Sequence, residues 1–229
     1  MKKITIYHGS TKIIEKPQYG FGKTYNDYGR GFYCTESIEL AKEWSCNEGI
    51  DGYVNSYELD LTNLKVLDLS DKKYNILNWL AILMDNRIAR LSSPIEKLGK
   101  EYLLEHFLPD YKDYDVIIGY RADDSYFSFA RAFVANNISL KQLGYAMHLG
   151  KLGQQYALIS EKAFNQIQFK GYITADNSEY YPKRKARDEV AREAFLKELD
   201  ESDIEGIFMR DIIREKMEAS DERLQWKIS

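Results

Sequence analysis

Tyr28-Gly29-Arg30-Gly31-Phe32-Tyr33-Cys34-Thr35-Glu36-Ser37-Ile38-Glu39-Leu40-Ala41-Lys42-Glu43-Trp44 is the stretch on which the reading turns. Glycines on both sides of Arg30 interrupt regular structure, and Gly31-Phe32-Tyr33-Cys34-Thr35 then has the content of a short strand. Ser37 stands where a helix N-cap stands, and a helix is expected to run through Ala41 and Trp44. Upstream, Ile4-Thr5-Ile6-Tyr7-His8-Gly9 alternates its side chains and stops at a glycine, as a strand ending in a turn does. Residues 11 to 30, with Pro17, Gly20, Gly22, Asn26, Asp27 and Gly29, form the punctuated loop between the two strands. The opening unit is therefore strand, long loop, strand, helix.

The same pattern continues downstream. Tyr53-Val54-Asn55-Ser56-Tyr57-Glu58-Leu59-Asp60-Leu61 and Leu64-Lys65-Val66-Leu67-Asp68-Leu69 alternate as strands and are expected to pair with each other. Residues 75 to 91 predict an apolar helix around Trp79, and 94 to 107 an amphipathic one. Tyr114-Asp115-Val116-Ile117-Ile118-Gly119 reads as a buried strand. The polar turn Ala122-Asp123-Asp124-Ser125 is expected to cap a helix at 126 to 136, with another at about 139 to 150. Gln155-Tyr156-Ala157-Leu158-Ile159-Ser160 reads as a strand, 161 to 166 as a short helix and 167 to 174 as a last strand. After Ala175 the chain reads as helix only, over 184 to 199 and 203 to 218. The expected class is α+β, with one domain over residues 1 to 174 and an α-helical C-terminal extension over 175 to 229.

Charge marks the same boundary. Residues 1 to 174 hold 21 Lys+Arg and 21 Asp+Glu, and residues 175 to 229 hold 11 and 15, so the whole net charge of -4 lies in the extension. In that extension Ile204, Ile207, Phe208, Ile212 and Ile213 are expected either to pack on the rest of the chain or to meet a partner. Lys183-Arg184-Lys185 and Arg187 are read as a solvated helix start, since acidic residues follow at once.

Composition excludes several classes. With 44% apolar and 30% charged residues the chain is an ordinary globular one. No run approaches the ~18 apolar residues of a membrane span, and Met1 to His8 turns polar too early for a signal peptide, so a cytoplasmic protein without membrane contact is expected. Cys34 and Cys46 are read as free thiols. A phosphate loop at Gly22-Lys23-Thr24 fails because Pro17 stands where its first glycine is needed. A dinucleotide fingerprint from Gly20 and Gly22 fails at Tyr25. His106 and His148 have no companions at metal-ligand spacing and are read as helix-end residues. His8 differs: with Gly9 and Ser10 it closes a strand, and it is either a structural histidine or an imidazole beside an exposed amide and a hydroxyl at a pocket rim.

Three separated pieces resemble the ADP-ribosyltransferase superfamily, in its diphtheria-toxin and poly(ADP-ribose) polymerase-like branch, whose signature is His, Tyr and an acidic or amide residue on three strands. Tyr7-His8-Gly9-Ser10 matches the His-Gly-Ser strand end. The stretch from Tyr28 to Trp44 resembles the glycine, basic residue, glycine, apolar residue, tyrosine strand and its helix. Gln154-Gln155-Tyr156-Ala157-Leu158-Ile159 resembles the strand that opens with the catalytic glutamate, with Gln155 at that place and Gln154 as the other claimant. The whole chain is also similar to a poorly characterised bacterial group in that superfamily, suspected toxins of toxin-antitoxin pairs, which implies an antitoxin partner.

The resemblance implies a split sheet flanked by helices, and NAD as co-substrate with no metal. Gly9 would offer its backbone N–H and C=O to the nicotinamide carboxamide, because no Cβ blocks the approach. His8 would hydrogen-bond a ribose hydroxyl, with Ser10 assisting. Tyr33 would stack on nicotinamide, with Trp44 as a second ring, each otherwise a core aromatic. Arg30 would contact the diphosphate or stand as a solvated loop charge. His8, Tyr33 and Gln155 would be the catalytic set, and Gln155 keeps a hydrogen bond to the 2′-hydroxyl without glutamate's charge. The implied activity is mono-ADP-ribosyl transfer to a protein or nucleic-acid acceptor, the alternatives being NAD hydrolysis or a catalytically inactive NAD-binding module.

Overall fold

The first strand, β1 (Lys3–Ser10), follows the alternation read from its sequence: Lys3 and Thr5 are exposed while Ile6 is fully buried. The others are β2 (Phe32–Cys34), β3 (Gly52–Asp60), β4 (Val66–Asp68), β5 (Val116–Tyr120), β6 (Gln154–Leu158) and β7 (Ile167–Ala175). The helices are α1 (Ile38–Ser45), α2 (Ile76–Asn86), α3 (Pro94–His106), α4 (Asp124–Val134), α5 (Leu140–Ala146), α6 (Glu161–Phe164), α7 (Asn177–Asp200) and α8 (Met209–Arg214). This computed structural model describes residues 2–122, 124–149, 151–201 and 203–225, with backbone alone for Asp124 and Ser125. The capping expected of Asp123 and Asp124 lies outside what is described.

The protein is α+β, as expected, and its strands form two sheets, ordered β1-β3-β7 and β2-β6-β5-β4. All pairings are antiparallel except β4 with β5. The pairing expected between β3 and β4 is corrected. β3 already carries β1 on one edge and β7 on the other, so β4 finds its partner in β5 of the second sheet. Ile6, Tyr57 and Leu59 from one sheet and Val116, Ile118 and Leu158 from the other form one buried apolar cluster.

The chain divides into two compact units, each built from separated stretches. One takes the chain up to Asp68, Tyr111–Arg121 and Leu152–Asp188, and holds both sheets. The other takes Leu69–Asp110, Ala122–Lys151 and the chain from Glu189 on, and is helical. The change in charge at residue 175 is thus a change in sequence character, while compactness follows a division interleaved along the chain.

In the first unit α1 is seated on β1 and β3 through two glycines. A Cβ on Gly9 would lie 2.2 Å from the Ala41 carbonyl oxygen, and one on Gly52 would lie 2.1 Å from Ser45 Oγ, so neither position admits a larger residue without displacing the helix. Ser37 caps α1 as expected, its Oγ accepting from the Leu40 amide at 3.3 Å. Helix α7 begins well before the expected residue 184. Asp176 caps it by accepting from the Ser178 amide at 2.8 Å, and Pro182 sits inside the helix instead of ahead of it. The basic run there is more than a solvated start. Arg184 donates to the Cys46 carbonyl at 3.2 Å, and Arg187 forms a two-point pair with Glu43 at 2.8 and 2.7 Å. Cys34 and Cys46 are free and buried.

In the second unit α2 is buried at every residue from Ile76 to Met84, which explains why its sequence is apolar on all sides. Ser93 and Glu96 close a capping box ahead of Pro94, and Ser139 with Gln142 closes another. Gln142 Nε2 also donates to the carbonyls of Glu198 and Glu201 at 2.7 and 3.0 Å. The helix expected over 203 to 218 shrinks to α8. Leu140 N–H takes the Ile207 carbonyl at 2.7 Å and Ser139 Oγ donates to Asp203 at 2.6 Å, which holds the chain before α8 out of helical form. Ile212 is fully buried and Ile204 is exposed. Among the described residues no helix is long and apolar enough to cross a membrane.

Candidate functional site

β1 and β2 belong to different sheets and meet at one place, where Tyr7 and Thr35 exchange both backbone hydrogen bonds at 2.7 and 2.9 Å. Beyond that bridge the strands part. Backbone groups of residues two apart on an extended strand point to the same edge, so Gly9 directs its N–H and C=O away from β3 and toward the opening beside Tyr33. The freedom Gly9 needs is therefore twofold. Its Cα side is filled by α1, while its peptide groups face the split.

The Tyr33 carbonyl on the other side of this split is met by an imidazole, with His8 Nδ1 at 2.7 Å. A carbonyl only accepts, so Nδ1 carries the proton and Nε2 of the neutral ring is left as an acceptor. Burial holds the His8 pKa below its ordinary 6.5, the bond to Tyr33 opposes that, and the positive charge of Arg121 lowers it further. Phe32 stacks on the imidazole at 4.3 Å between ring centres. The ring is fixed on one face and through one nitrogen.

Tyr33 is fixed in turn. Its hydroxyl donates to the Gly29 carbonyl at 2.6 Å and accepts from the Tyr28 amide at 3.1 Å. Gly29 has φ +77, the left-handed conformation that glycine adopts at little cost. The Tyr28 hydroxyl donates to the Tyr120 carbonyl at 2.7 Å, and the same carbonyl accepts from Gln155 Nε2 at 3.1 Å. Gln155 Nε2 also donates to Asp27 Oδ2 at 2.8 Å. Residue to residue, hydrogen bonds thus link His8 to Tyr33, Tyr33 to Tyr28, Tyr28 and Gln155 to the Tyr120 carbonyl, and Gln155 to Asp27, the path passing from backbone to hydroxyl through the covalent frames of Tyr33 and Tyr28. The path joins β1, β2 and β6, which carry the three residues singled out in the sequence.

Two acceptors facing Nε2 also decide how the Gln155 amide lies. Reversed, its oxygen would oppose a carboxylate and a carbonyl, so Oε1 is the group the amide has left to offer. Gln155 is buried and Gln154 only partly so, because neighbours on a strand face opposite ways. Gln155 is the one in the network.

The remaining expected residues take different places. Ser10 Oγ accepts from the Lys12 amide at 3.2 Å, a local turn at the strand end. Trp44 on α1 is partly exposed, and the Arg121 guanidinium lies 3.7 Å from its ring centre, covering one face. Arg30 is exposed between its two glycines. Asp27, Tyr28, Tyr120 and Arg121 were not singled out in the sequence. Asp27 had been counted among the loop's turn formers, and only its place directly before Tyr28-Gly29-Arg30-Gly31 could have drawn attention to it. Arg121 follows directly on β5, and nothing in the pattern separates it from a surface charge.

The site therefore combines a backbone donor and acceptor, a neutral imidazole acceptor, a partly exposed aromatic ring, an oriented amide oxygen and a guanidinium. The family model described as "Protein of unknown function (DUF3990)" matches residues 4–169, and the chain belongs to that family. The matched span takes in every residue of the network and ends within β7, before α7 begins. Comparison with curated proteins gives no match, and comparison with solved structures gives none either.

Proposed function

We propose that this protein is an NAD-dependent ADP-ribosyltransferase that breaks the bond between nicotinamide and ribose and passes ADP-ribose to a macromolecular acceptor, a protein or a nucleic acid. The observation that carries the reading is the set of residue-to-residue hydrogen bonds linking His8, Tyr33 and Gln155 through Tyr28 and Tyr120. Three residues that a sequence resemblance had paired with one chemistry share one polar network, although up to 147 positions separate them.

Each group then has a task. Gly9 N–H and C=O, turned into the split, match the acceptor and donor of a carboxamide. His8 Nε2, unprotonated at neutral pH, accepts from a ribose hydroxyl. Tyr33 offers its ring to nicotinamide, and Trp44 offers a second one. Arg121, whose charge already acts on His8, joins Arg30 as a cation for the diphosphate. Bound there, NAD supplies a ribosyl group with nicotinamide as its leaving group. Gln155 Oε1 holds the neighbouring hydroxyl while positive charge builds on the sugar, an electrostatic role of the kind whose loss costs about 10²–10³ in rate.

The test is nicotinamide release from NAD by the purified protein and by His8→Ala, Tyr33→Ala and Gln155→Ala. Release by the wild type, lowered about 100-fold in each folded variant, is the expected result. No release by a folded wild type, with protein and nucleic-acid acceptors present, would overturn the reading. Binding of NAD without release would make the chain a binding module, and free ADP-ribose as the sole product would make it a hydrolase.

A further inference from the structure

The network holds one acidic side chain for which the roles above leave no task. Asp27 is buried, with 5% of its surface exposed, and its Oδ2 lies 2.8 Å from Gln155 Nε2. A carboxylate in such a place is held for a reason, since burying a charge is costly unless it is hydrogen-bonded. We propose that Asp27 is the positioning carboxylate of this site: through the Gln155 amide it supplies the negative charge that a glutamine at position 155 does not carry itself.

This inference rests on the proposed NAD chemistry and goes one step into it. A hydrogen bond to a carboxylate is stronger than one between neutral groups, and it draws positive charge to the N–H end of the amide. The second bond from Nε2, to the Tyr120 carbonyl, acts in the same sense. Both enrich Oε1 in electron density and both fix where it stands. In the reaction the bond between the anomeric carbon and the nicotinamide nitrogen breaks, and its electron pair goes to that nitrogen. The acceptor's nucleophile forms the new bond and releases its proton to solvent. Asp27 takes no proton; its charge, relayed by Oε1, opposes the positive charge that builds on the sugar.

The geometry suggests a charge exchange as the test. Asp27→Asn keeps an acceptor oxygen for Gln155 Nε2 but removes the charge. Gln155→Glu sets a second carboxylate against the first, so that the pair shares a proton. Asp27→Asn with Gln155→Glu inverts the hydrogen bond and puts the charge on residue 155. Nicotinamide release from NAD is measured for these three and the wild type between pH 5.5 and 9, with circular dichroism for folding.

The expected result is that Asp27→Asn lowers kcat about 100-fold with KM for NAD within about threefold. Gln155→Glu is slow and gains an ionisation in its pH profile. The double variant recovers to within about tenfold of wild type, which a role in holding the fold alone would not produce. A kcat within threefold of wild type for Asp27→Asn, or a double variant no faster than its slower parent, overturns the proposal while leaving the NAD reading intact. Should Asp27→Asn fail to fold, the double variant, in which the hydrogen bond between positions 27 and 155 is again matched while the Tyr120 carbonyl loses its Nε2 donor, decides. A wild type that releases no nicotinamide in the same assay overturns both.

Discussion

Replacing Gly9 by alanine tests the seat of α1 on the first sheet. The added methyl carbon would lie 2.2 Å from the Ala41 carbonyl oxygen and 2.8 Å from the Ser45 amide nitrogen. Both obstacles are helix backbone, so no side chain can rotate out of the way, and α1 must move by roughly 1 Å to restore ordinary contact distances. Overpacking of this kind costs about 1–3 kcal/mol, and rigid obstacles put Gly9→Ala at about 3. Alanine's smaller conformational entropy loss in a strand returns roughly 0.5–1 kcal/mol, which leaves a net loss of about 2. Urea denaturation followed by tryptophan fluorescence measures it. Gly20→Ala is the companion, because a Cβ there meets nothing within 4 Å and only its φ of +81 is unfavourable, a cost of about 1–2 kcal/mol without any displacement of structure. Gly9→Ala should also slow nicotinamide release, since the displaced helix carries Trp44, whereas Gly20→Ala should not. A Gly9→Ala protein as stable as wild type to within about 0.5 kcal/mol would mean that α1 does not rest on β1 as described.

Two further outcomes follow from buried charge. Arg187→Ala leaves the Glu43 carboxylate, whose side chain is 5% exposed, without its two-point partner, and should destabilise the protein by about 3 kcal/mol; unchanged urea midpoints would contradict the pairing of α7 with α1. His8 is held neutral, with a pKa below 6.5 in the fold, so the unfolded chain binds its proton first as pH falls. Stability contributed by this residue is complete above pH 6.5 and declines below it at up to about 1.4 kcal/mol per pH unit. Urea midpoints at pH 7.5 and 5.5 should separate wild type from His8→Gln, the variant losing less; equal losses would remove the buried neutral imidazole from the account.

Local patterns in the sequence revealed the elements, and long-range pairing lay beyond them. Alternation, apolar runs and glycine punctuation together placed all seven strands, because each buries one face or two and its composition records that. Which strands are neighbours is not recorded in the same way. The short link between β3 and β4 suits a hairpin, and only the presence of β1 and β7 on both edges of β3 forbids it. The expected start of α7 at residue 184 falls late, because the cap at Asp176 and the contacts of Arg184 and Arg187 outweigh the one backbone bond that Pro182 removes. In the candidate site, His8 and Gly9 stand out by themselves at a strand end, whereas Tyr33 and Gln155 are picked out only by the resemblance. Asp27 is picked out by neither. A buried carboxylate in a polar, glycine-rich loop looks the same as a turn residue until its partner, far along the chain, is seen beside it.

The order of strands has a consequence for the timing of synthesis. β6 lies between β2 and β5, so β2 has no partner within its own sheet until Leu158 has been made. At about 5–20 residues per second that wait is roughly 6 to 25 s after Cys34 leaves the ribosome's active centre. His8 and Tyr33 are synthesised early, yet the carbonyl of Tyr120 and the amide of Gln155 that complete their network come late. A nascent chain interrupted before β6 carries most of the site's residues but neither Gln155 nor the strand on which β2 is paired, so the network closes only when the sheet is filled from its centre.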